Sequence, residues 1–355
     1  MSKPLGIAQT GVDESVVPED PSELLRFRLT AFLRELFLTV NCTMCVPMYS
    51  MLIWMSIYCT LIYFAPTIPI RMVVLSYAVY CVFDETPRLG VRWLSYQQID
   101  WLRRNIFFQL VARYFPVSLH KTQDLDSEQG PYIFLYHPHG IIGMGVNTAM
   151  NMNGCHFDKV FPGIKRWAVT LNASFYAPIF REWMICLGII SANKKTLKRK
   201  LSQKESIVLV PGGAAEALHA HRSNFKLQIL SRKGFVRLAL ETRAKPIPCL
   251  GFGENEAFDT LYVADEEKGS WLWQAQLQLE KILSFSTPFI TWPVPNRHPI
   301  HVVIGKPLVF PEMKKGLRYE EYVDQCHDSY LEALRELYSD NKAKYGYQDM
   351  PLQFV

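Results

Sequence analysis

The sequence predicts an α/β domain with a largely parallel sheet, preceded by an N-terminal membrane-embedded helical hairpin. Three observations predict it. From residue 93 onward, short apolar runs alternate with amphipathic stretches, the pattern of a buried parallel sheet layered with helices. An uncharged run from Val46 to Ala65 comes before them. The composition, 355 residues with 49% hydrophobic and 20% charged, suits one large globular domain or two small ones and not a disordered chain.

Met1 to Asp20 is polar and acidic, without the basic start and apolar core of a signal peptide, and is expected to be a cytosolic tail. Residues 21–92 are expected to hold an interfacial helix, Leu24 to Val40, followed by the hairpin at 46–65 and 68–83. Twenty residues at helical rise cover roughly 30 Å, the thickness of the hydrocarbon core. Pro66-Thr67-Ile68-Pro69 reads as the turn, and Arg71 opens the second run, from which it can snorkel. Arg26, Arg28 and Arg34 before the pair, and Arg88, Arg92, Arg103 and Arg104 after it, put both flanks, and so both termini, on the cytosolic side. The rival reading is a buried helical pair in a soluble core.

The domain from 93 to 355 opens on Ile99, Leu102, Ile106 and Leu110 at helical spacing. Strands are expected at Tyr132–Tyr136, Trp167–Leu171, Ser206–Val210, Ile247–Gly251 and Ile300–Ile304. Helices are expected near 176–187, 194–203, 232–243 and 271–284, and a last one at about 318–340. Lys+Arg 38 against Asp+Glu 33 leaves +5, too mild for a nucleic-acid partner. Of the eight cysteines, Cys42 and Cys45 come closest to a pair but flank an apolar run, and all eight read as reduced packing residues.

In open α/β sheets, ligands sit beyond the carboxyl ends of strands. Three strand ends carry reactive residues: His137-Pro138-His139-Gly140, then Val210-Pro211-Gly212-Gly213 with Glu216, then Gly251-Phe252-Gly253-Glu254-Asn255. A neutral imidazole takes a proton from an alcohol near pH 7. The Gly212-Gly213 turn and Gly140 offer backbone N–H groups to an oxyanion. Glu216 is the candidate for orienting a histidine. Tyr114-Phe115-Pro116 reads as a helix stop. The basic run Lys194 to Lys204 reads as a solvated face or a phosphate contact.

Tyr114-Phe115-Pro116, His137-Pro138-His139-Gly140, Pro211-Gly212-Gly213 with Glu216, Lys233-Gly234-Phe235 and Gly253-Glu254-Asn255 together resemble, in order and spacing, the diacylglycerol acyltransferase type 2 family, over roughly Trp93 to Tyr338. The resemblance implies a glycerolipid-acyltransferase-like domain and an enzyme of the endoplasmic-reticulum membrane with access to lipid droplets. It would move a fatty acyl group from acyl-CoA to a neutral-lipid hydroxyl, diacylglycerol first, with monoacylglycerol or a long-chain alcohol as alternatives. The wider superfamily pairs its histidine with an Asp five positions on; here Ile142 and Met144 stand there, so no such dyad exists. Lys233 stands where many members carry Arg and lacks the guanidinium fork.

The implied assignment makes His139 the base, His137 its support and Glu216 the orienting or polarising carboxylate. Tyr114, Phe115, Pro116, Gly140, Pro211, Gly212, Gly213, Lys233, Gly253, Glu254 and Asn255 are expected at the substrate. No metal and no cofactor are expected, acyl-CoA being a co-substrate; the partners are the acceptor lipid and the bilayer, with a homo-oligomer left open. No G-x-S-x-G elbow offers a covalent nucleophile. Two rivals remain. One is a zinc hydrolase using His137 and His139 with His219 and His221, and the other is a non-enzymatic membrane scaffold.

Overall fold

In a computed structural model the described residues are 47–89, 94–217, 220–222, 224–260 and 294–355, with 29, 30, 33, 274 and 278. The expected helix near 271–284, the interfacial helix at 24–40, Cys42, Cys45 and His219 lie outside them or almost wholly so.

The five expected strands form, with boundaries shifted by up to two residues, and lie in one seven-stranded sheet. The strands are β1 (Val117–Lys121), β2 (Tyr132–His137), β3 (Arg166–Thr170), β4 (Ile189–Ser191), β5 (Ser206–Leu209), β7 (Lys245–Phe252) and β8 (Ile300–Ile304), in the order β1-β8-β7-β2-β5-β3-β4. Only β7 and β8 pair antiparallel. β6 (Phe225–Leu227) and β9 (Leu352–Phe354) pair separately. β1, β4, β6 and β9 had no sequence signal: each is short, and β1 carries Ser118 and His120 on one face.

All six residues of β2 are buried. Successive side chains leave opposite faces of a strand. Ile133 and Leu135 therefore join one core with the C-terminal helix, while Tyr132, Phe134 and Tyr136 join the other. That C-terminal helix, α11 (Tyr319–Lys342), presents Val323, Cys326, Tyr330, Leu334 and Leu337 as an apolar stripe at helical spacing.

The remaining helices run in chain order. α1 (Pro47–Phe64) and α2 (Ile68–Phe83) are followed by α3 (Thr86–Leu89), α4 (Tyr96–Arg103) and α5 (Ile106–Tyr114). Then come α6 (Phe157–Val160), α7 (Phe180–Cys186), α8 (Lys194–Ser202), α9 (Gly213–Ala217) and α10 (Gly234–Thr242). The single amphipathic stretch expected across 99–110 is two helices. Asn105 caps a second start, its side chain accepting from the Phe107 N–H at 2.9 Å, and Ser95 with Gln98 forms a capping box on the first.

α1 and α2 form the expected pair, but they are shorter than a full span. At about 1.5 Å per residue, 18 and 16 residues rise roughly 27 and 24 Å. Among the described residues no helix is long and apolar enough to cross a membrane. Arg71 does not snorkel outward: its Nε donates to the Ala65 carbonyl at 3.2 Å and closes the end of α1. The pair is latched to the domain. Tyr77 bonds Glu182, buried Arg181 pairs with Asp84, and Met51 and Trp54 pack against a cluster containing Phe108, Phe175, Phe180 and Met184.

Candidate active site

The order β7-β2-β5 sets three parallel strands side by side, so their carboxyl ends share one edge of the sheet. Leu135 is level with Leu209, and His137 with Leu250. The turns after β2, β5 and β7 therefore meet, as the motif positions require. Val117 is level with Ile300, and His301 with Phe252, so Tyr114-Phe115-Pro116 at the start of β1 lies at this same edge.

The strand's alternation sends Tyr136 and His137 to opposite faces. His137 is fully buried, its Nε2 3.0 Å from the hydroxyl of Tyr330 on α11. Its Nδ1 has no partner among the described residues. Burial pushes its pKa down to about 3, so it is neutral and sealed from substrate. Tyr136 donates to Oε2 of Glu254 at 2.5 Å.

His139 is only partly buried, with Nδ1 2.9 Å from the Gly140 carbonyl. A carbonyl oxygen can only accept, so Nδ1 carries the hydrogen. In the neutral ring Nε2 is then the free lone pair. Burial lowers the His139 pKa below the ordinary imidazole value, which keeps that lone pair available at neutral pH. A backbone carbonyl, not a carboxylate, thus fixes the tautomer.

Glu254 was expected at the substrate and is committed elsewhere. Its carboxylate is buried and accepts from the N–H groups of Met144 at 2.6 Å and Gly145 at 2.8 Å as well as from Tyr136. It ties down the loop that follows Gly140. Gly140 has φ +59, and a Cβ there would lie 2.6 Å from Glu254 Cγ, so only glycine lets the turn and the carboxylate share the space. Burial lifts the Glu254 pKa to about 7 against the pull of its three donors.

Glu216 comes from the short helix after the Pro-Gly-Gly turn. A Cβ on Gly212 would stand 1.5 Å from its Oε2, so Gly212 makes room for this carboxyl. Gly213, expected as an oxyanion donor, is already committed: its N–H donates to the Val210 carbonyl at 3.1 Å. Among the described residues the N–H groups of Gly140 and Gly212 donate to nothing, which leaves both open to an oxyanion. Glu216 is buried and neither carboxyl oxygen has a hydrogen-bond partner. Burial raises its pKa to about 8; the His139 N–H and the Arg232 cation lower it by less. Its carboxyl makes no hydrogen bond to the His139 ring.

Other expected contacts are architectural. Gly253, at φ +94, donates its N–H to Tyr347 Oη at 2.8 Å, and Asn255 Nδ2 donates to the Asn224 carbonyl at 3.2 Å. Lys233 pairs with Asp324 at 2.7 Å. Tyr114 and Phe115 are buried, edge to face at 4.7 Å, with Arg297 4.4 Å over the Tyr114 ring. Pro116 is exposed and lines a cleft of about 490 Å³ with Gln109, Arg113 and Ser118.

In the basic helix α8, Lys194 and Lys198 both pair with Glu241, at 2.8 and 2.5 Å. Lys200 pairs with Glu205 and lies 3.5 Å from the Trp167 ring centroid. The side chains of Lys195 and Arg199 are exposed and pair with no acid among the described residues. Among the described residues no group of three His, Cys, Asp or Glu stands as a metal site. Nothing in the residue pattern marks Tyr330, which sits 193 residues from His137 within an ordinary helical stripe. Strand alternation alone pairs Tyr136 with the face opposite His137.

A family profile described as diacylglycerol acyltransferase matches residues 60–355. A relative named diacylglycerol O-acyltransferase 2A, from Umbelopsis ramanniana, is 33% identical over 84% of this chain and 86% of its own length. A human relative named 2-acylglycerol O-acyltransferase 1 is 35% identical over 77% of this chain and 82% of its own. The solved lysophosphatidic acid acyltransferase PlsC of Thermotoga maritima is a distant likeness, with a TM-score of 0.38 and 13% identity over 86% of this chain and 97% of that one. By the span of the profile and the identity of these relatives, the chain is an acyltransferase and belongs to the diacylglycerol acyltransferase family.

Proposed function

We propose that this chain transfers a fatty acyl group from acyl-CoA to the free hydroxyl of diacylglycerol, with His139 as general base. Nε2 of His139 takes the hydroxyl proton as the oxygen attacks the thioester carbonyl. The tetrahedral oxyanion is met by the Gly140 N–H. Its collapse breaks the C–S bond, and the imidazolium returns the proton to the departing CoA thiolate, so no residue ends the cycle changed. His137 and Tyr330 hold the turn from below, and Glu254 holds it from the other face. Lys195 and Arg199 are the cations proposed for CoA phosphates.

One observation carries this reading. Of the two histidines in the turn, one has a committed Nδ1 and an open Nε2 on a partly exposed ring, while the other is buried against a tyrosine. A 2-acylglycerol acceptor is the second reading, favoured by the 35% identity to the human 2-acylglycerol enzyme. The helical pair α1 and α2 is proposed to sit in the cytosolic leaflet of the endoplasmic-reticulum membrane, entering and leaving on one side, with both termini cytosolic and access to lipid-droplet surfaces. Its support is the row of exposed Leu52, Leu61, Phe64, Met72, Val79 and Phe83.

The test is transfer of labelled acyl from acyl-CoA in microsomes containing the chain, with diacylglycerol, 2-acylglycerol or a long-chain alcohol supplied in turn. Triacylglycerol as the main product is expected. Product from the alcohol alone would overturn the acceptor, and no product from any acceptor would overturn the function.

A further inference from the structure

We infer that the domain itself touches the bilayer through an apolar collar around the helical pair, built from Trp101, Ile106, Leu110, Leu171 and Tyr176. The inference rests on the reading of α1 and α2 as membrane-embedded and extends it to a second, independent set of residues.

The collar residues lie on α4, on α5 and on the 3-10 turn Asn172–Tyr176 with its preceding residue. Met51 and Trp54 of α1 join the same apolar cluster as Phe107 and Phe108 of α5. The face of α5 turned outward beside them carries Ile106, 70% exposed, and Leu110 one turn on, with Trp101, 73% exposed, at the end of α4. On the other side, α2 packs against the 3-10 turn Asn172–Tyr176, which is flanked by exposed Leu171 and ends in exposed Tyr176. Phe175 of that turn belongs to the cluster that holds the pair. Exposed large apolar side chains thus occur on both flanks, contiguous with the apolar surface of α1 and α2.

A lipid surface is the occupant this composition fits. Trp and Tyr favour the depth where an apolar body and a polar tip are both satisfied. Arg113, exposed on the next turn of α5 and without a partner among the described residues, supplies a cation at headgroup level. A soluble face would not gather five large apolar side chains beside an already apolar hairpin. The collar would hold the domain against the membrane at a fixed tilt, with the Pro116 cleft, which shares α5 through Gln109, Ala112 and Arg113, close to the lipid.

The experiment is photo-crosslinking in the full chain, reconstituted in phosphatidylcholine vesicles containing an alkyne-tagged phosphatidylcholine. Benzoylphenylalanine replaces Leu61, Trp101, Ile106, Leu171 or Val309, one at a time. Val309 is 77% exposed and apolar, but follows Leu308, which bonds to Pro246 at the opposite edge of the sheet. Retained acyl transfer reports that each variant is folded, and the three collar positions are read separately. Lipid labelling at 101, 106 and 171 severalfold above 309, alongside labelling at 61, is the expected result. Labelling at 61 with the collar no higher than 309 overturns the collar and leaves the hairpin reading intact. No labelling at 61 or the collar overturns both. Equal labelling everywhere, or cross-linking of the collar to a second copy of the chain, overturns the bilayer as its occupant.

Discussion

Replacing Glu216 with Gln should flatten the pH dependence of stability, and the size of the effect follows from its burial. In an unfolded chain the carboxyl titrates near the model value of 4.5; in the fold, burial raises it to about 8. Between those values the folded protein holds a proton that the unfolded chain has released. Stability therefore falls as pH rises, by about 1.4 kcal/mol per pH unit, or about 5 kcal/mol across the whole window. Glu254, raised to about 7, adds the same slope over the lower part of that window. His137, pushed down to about 3, is neutral in the fold throughout, and its contribution fades as the unfolded-chain imidazole loses its proton above about pH 6.5; it is the same in wild type and variant and cancels in their difference. Glu216→Gln cannot titrate. Its baseline stability can shift by about 1–3 kcal/mol, because a buried amide also lacks partners, but its slope loses the Glu216 share whatever the baseline. In a chain of this size about 1.4 kcal/mol corresponds to roughly 2 °C in Tm. Thermal unfolding in detergent from pH 6.5 to 8 should show the wild type falling about 2 °C per unit faster than the variant. Parallel curves would mean that Glu216 is ionised in the fold, and the neutral-acid assignment would be wrong. The same neutrality implies that Glu216→Gln keeps most of its turnover at pH 6.5, where the wild-type group is already uncharged.

His139→Ala should lose about 10²–10⁴-fold in kcat with the fold intact, whereas His137→Ala should show its defect in Tm as much as in rate, measured side by side in microsomes. The wild-type rate should hold down to a pH below the ordinary imidazole value before its acid limb begins, since burial lowers the His139 pKa; a limb centred above 6.5 would contradict that. Tyr330→Phe removes the partner of His137 Nε2 and should cost about 1–3 kcal/mol of stability with a smaller loss of kcat than His139→Ala. Gly212→Ala drives a Cβ into Glu216 Oε2 and should cost about 1–3 kcal/mol. Most of that cost should vanish in the Glu216→Ala background, a coupling that a double-mutant cycle measures.

The central sheet was legible because its strands are buried on both faces. Tyr132–Tyr136 and Ile247–Gly251 read as short, nearly continuous apolar runs, and both lie within fully or almost fully buried strands. The edge strands were not legible. β1 is three parts polar in Ser118, His120 and Lys121, β4 is three residues long, and β6 and β9 exist only because they pair with each other across 125 residues of chain. The break at Asn105 was readable in principle as an N-cap, but the apolar period runs straight through it, and period outweighs a cap in sequence reasoning. The helical pair was legible: α1 and α2 fall within one residue of the expected 46–65 and 68–83. Pro66 and Pro69 mark the turn between them.

The site was legible as positions and illegible as roles. Strand-end motifs predict where the turns gather, and topology gathers them. What no spacing rule supplies is which group in each motif is offered to substrate and which is spent on the protein. The same device occurs twice here. Gly140 yields its side-chain volume to Glu254, and Gly212 yields its own to Glu216, so in two of the turns one glycine is matched to a buried carboxyl. Read from the sequence, such glycines look like backbone donors aimed at a ligand and the acids look like catalytic partners. In the fold, the first acid is consumed by two loop N–H groups and a tyrosine, and the second is forced towards neutrality by burial. An acid whose burial outweighs the pull of its nearest cation, Arg232, is mostly uncharged at neutral pH and does not serve there as a charged orienting group. The turn must then hold its histidine by other means, and it does so with the Gly140 carbonyl on Nδ1 of His139 and with Tyr330 beneath His137. A carbonyl fixes the tautomer without adding a charge, so the base need not be stabilised as an ion pair. Its strength is then governed by desolvation, which is why an acyl chain entering beside His139 should lower that pKa further and keep Nε2 unprotonated until the acceptor hydroxyl arrives.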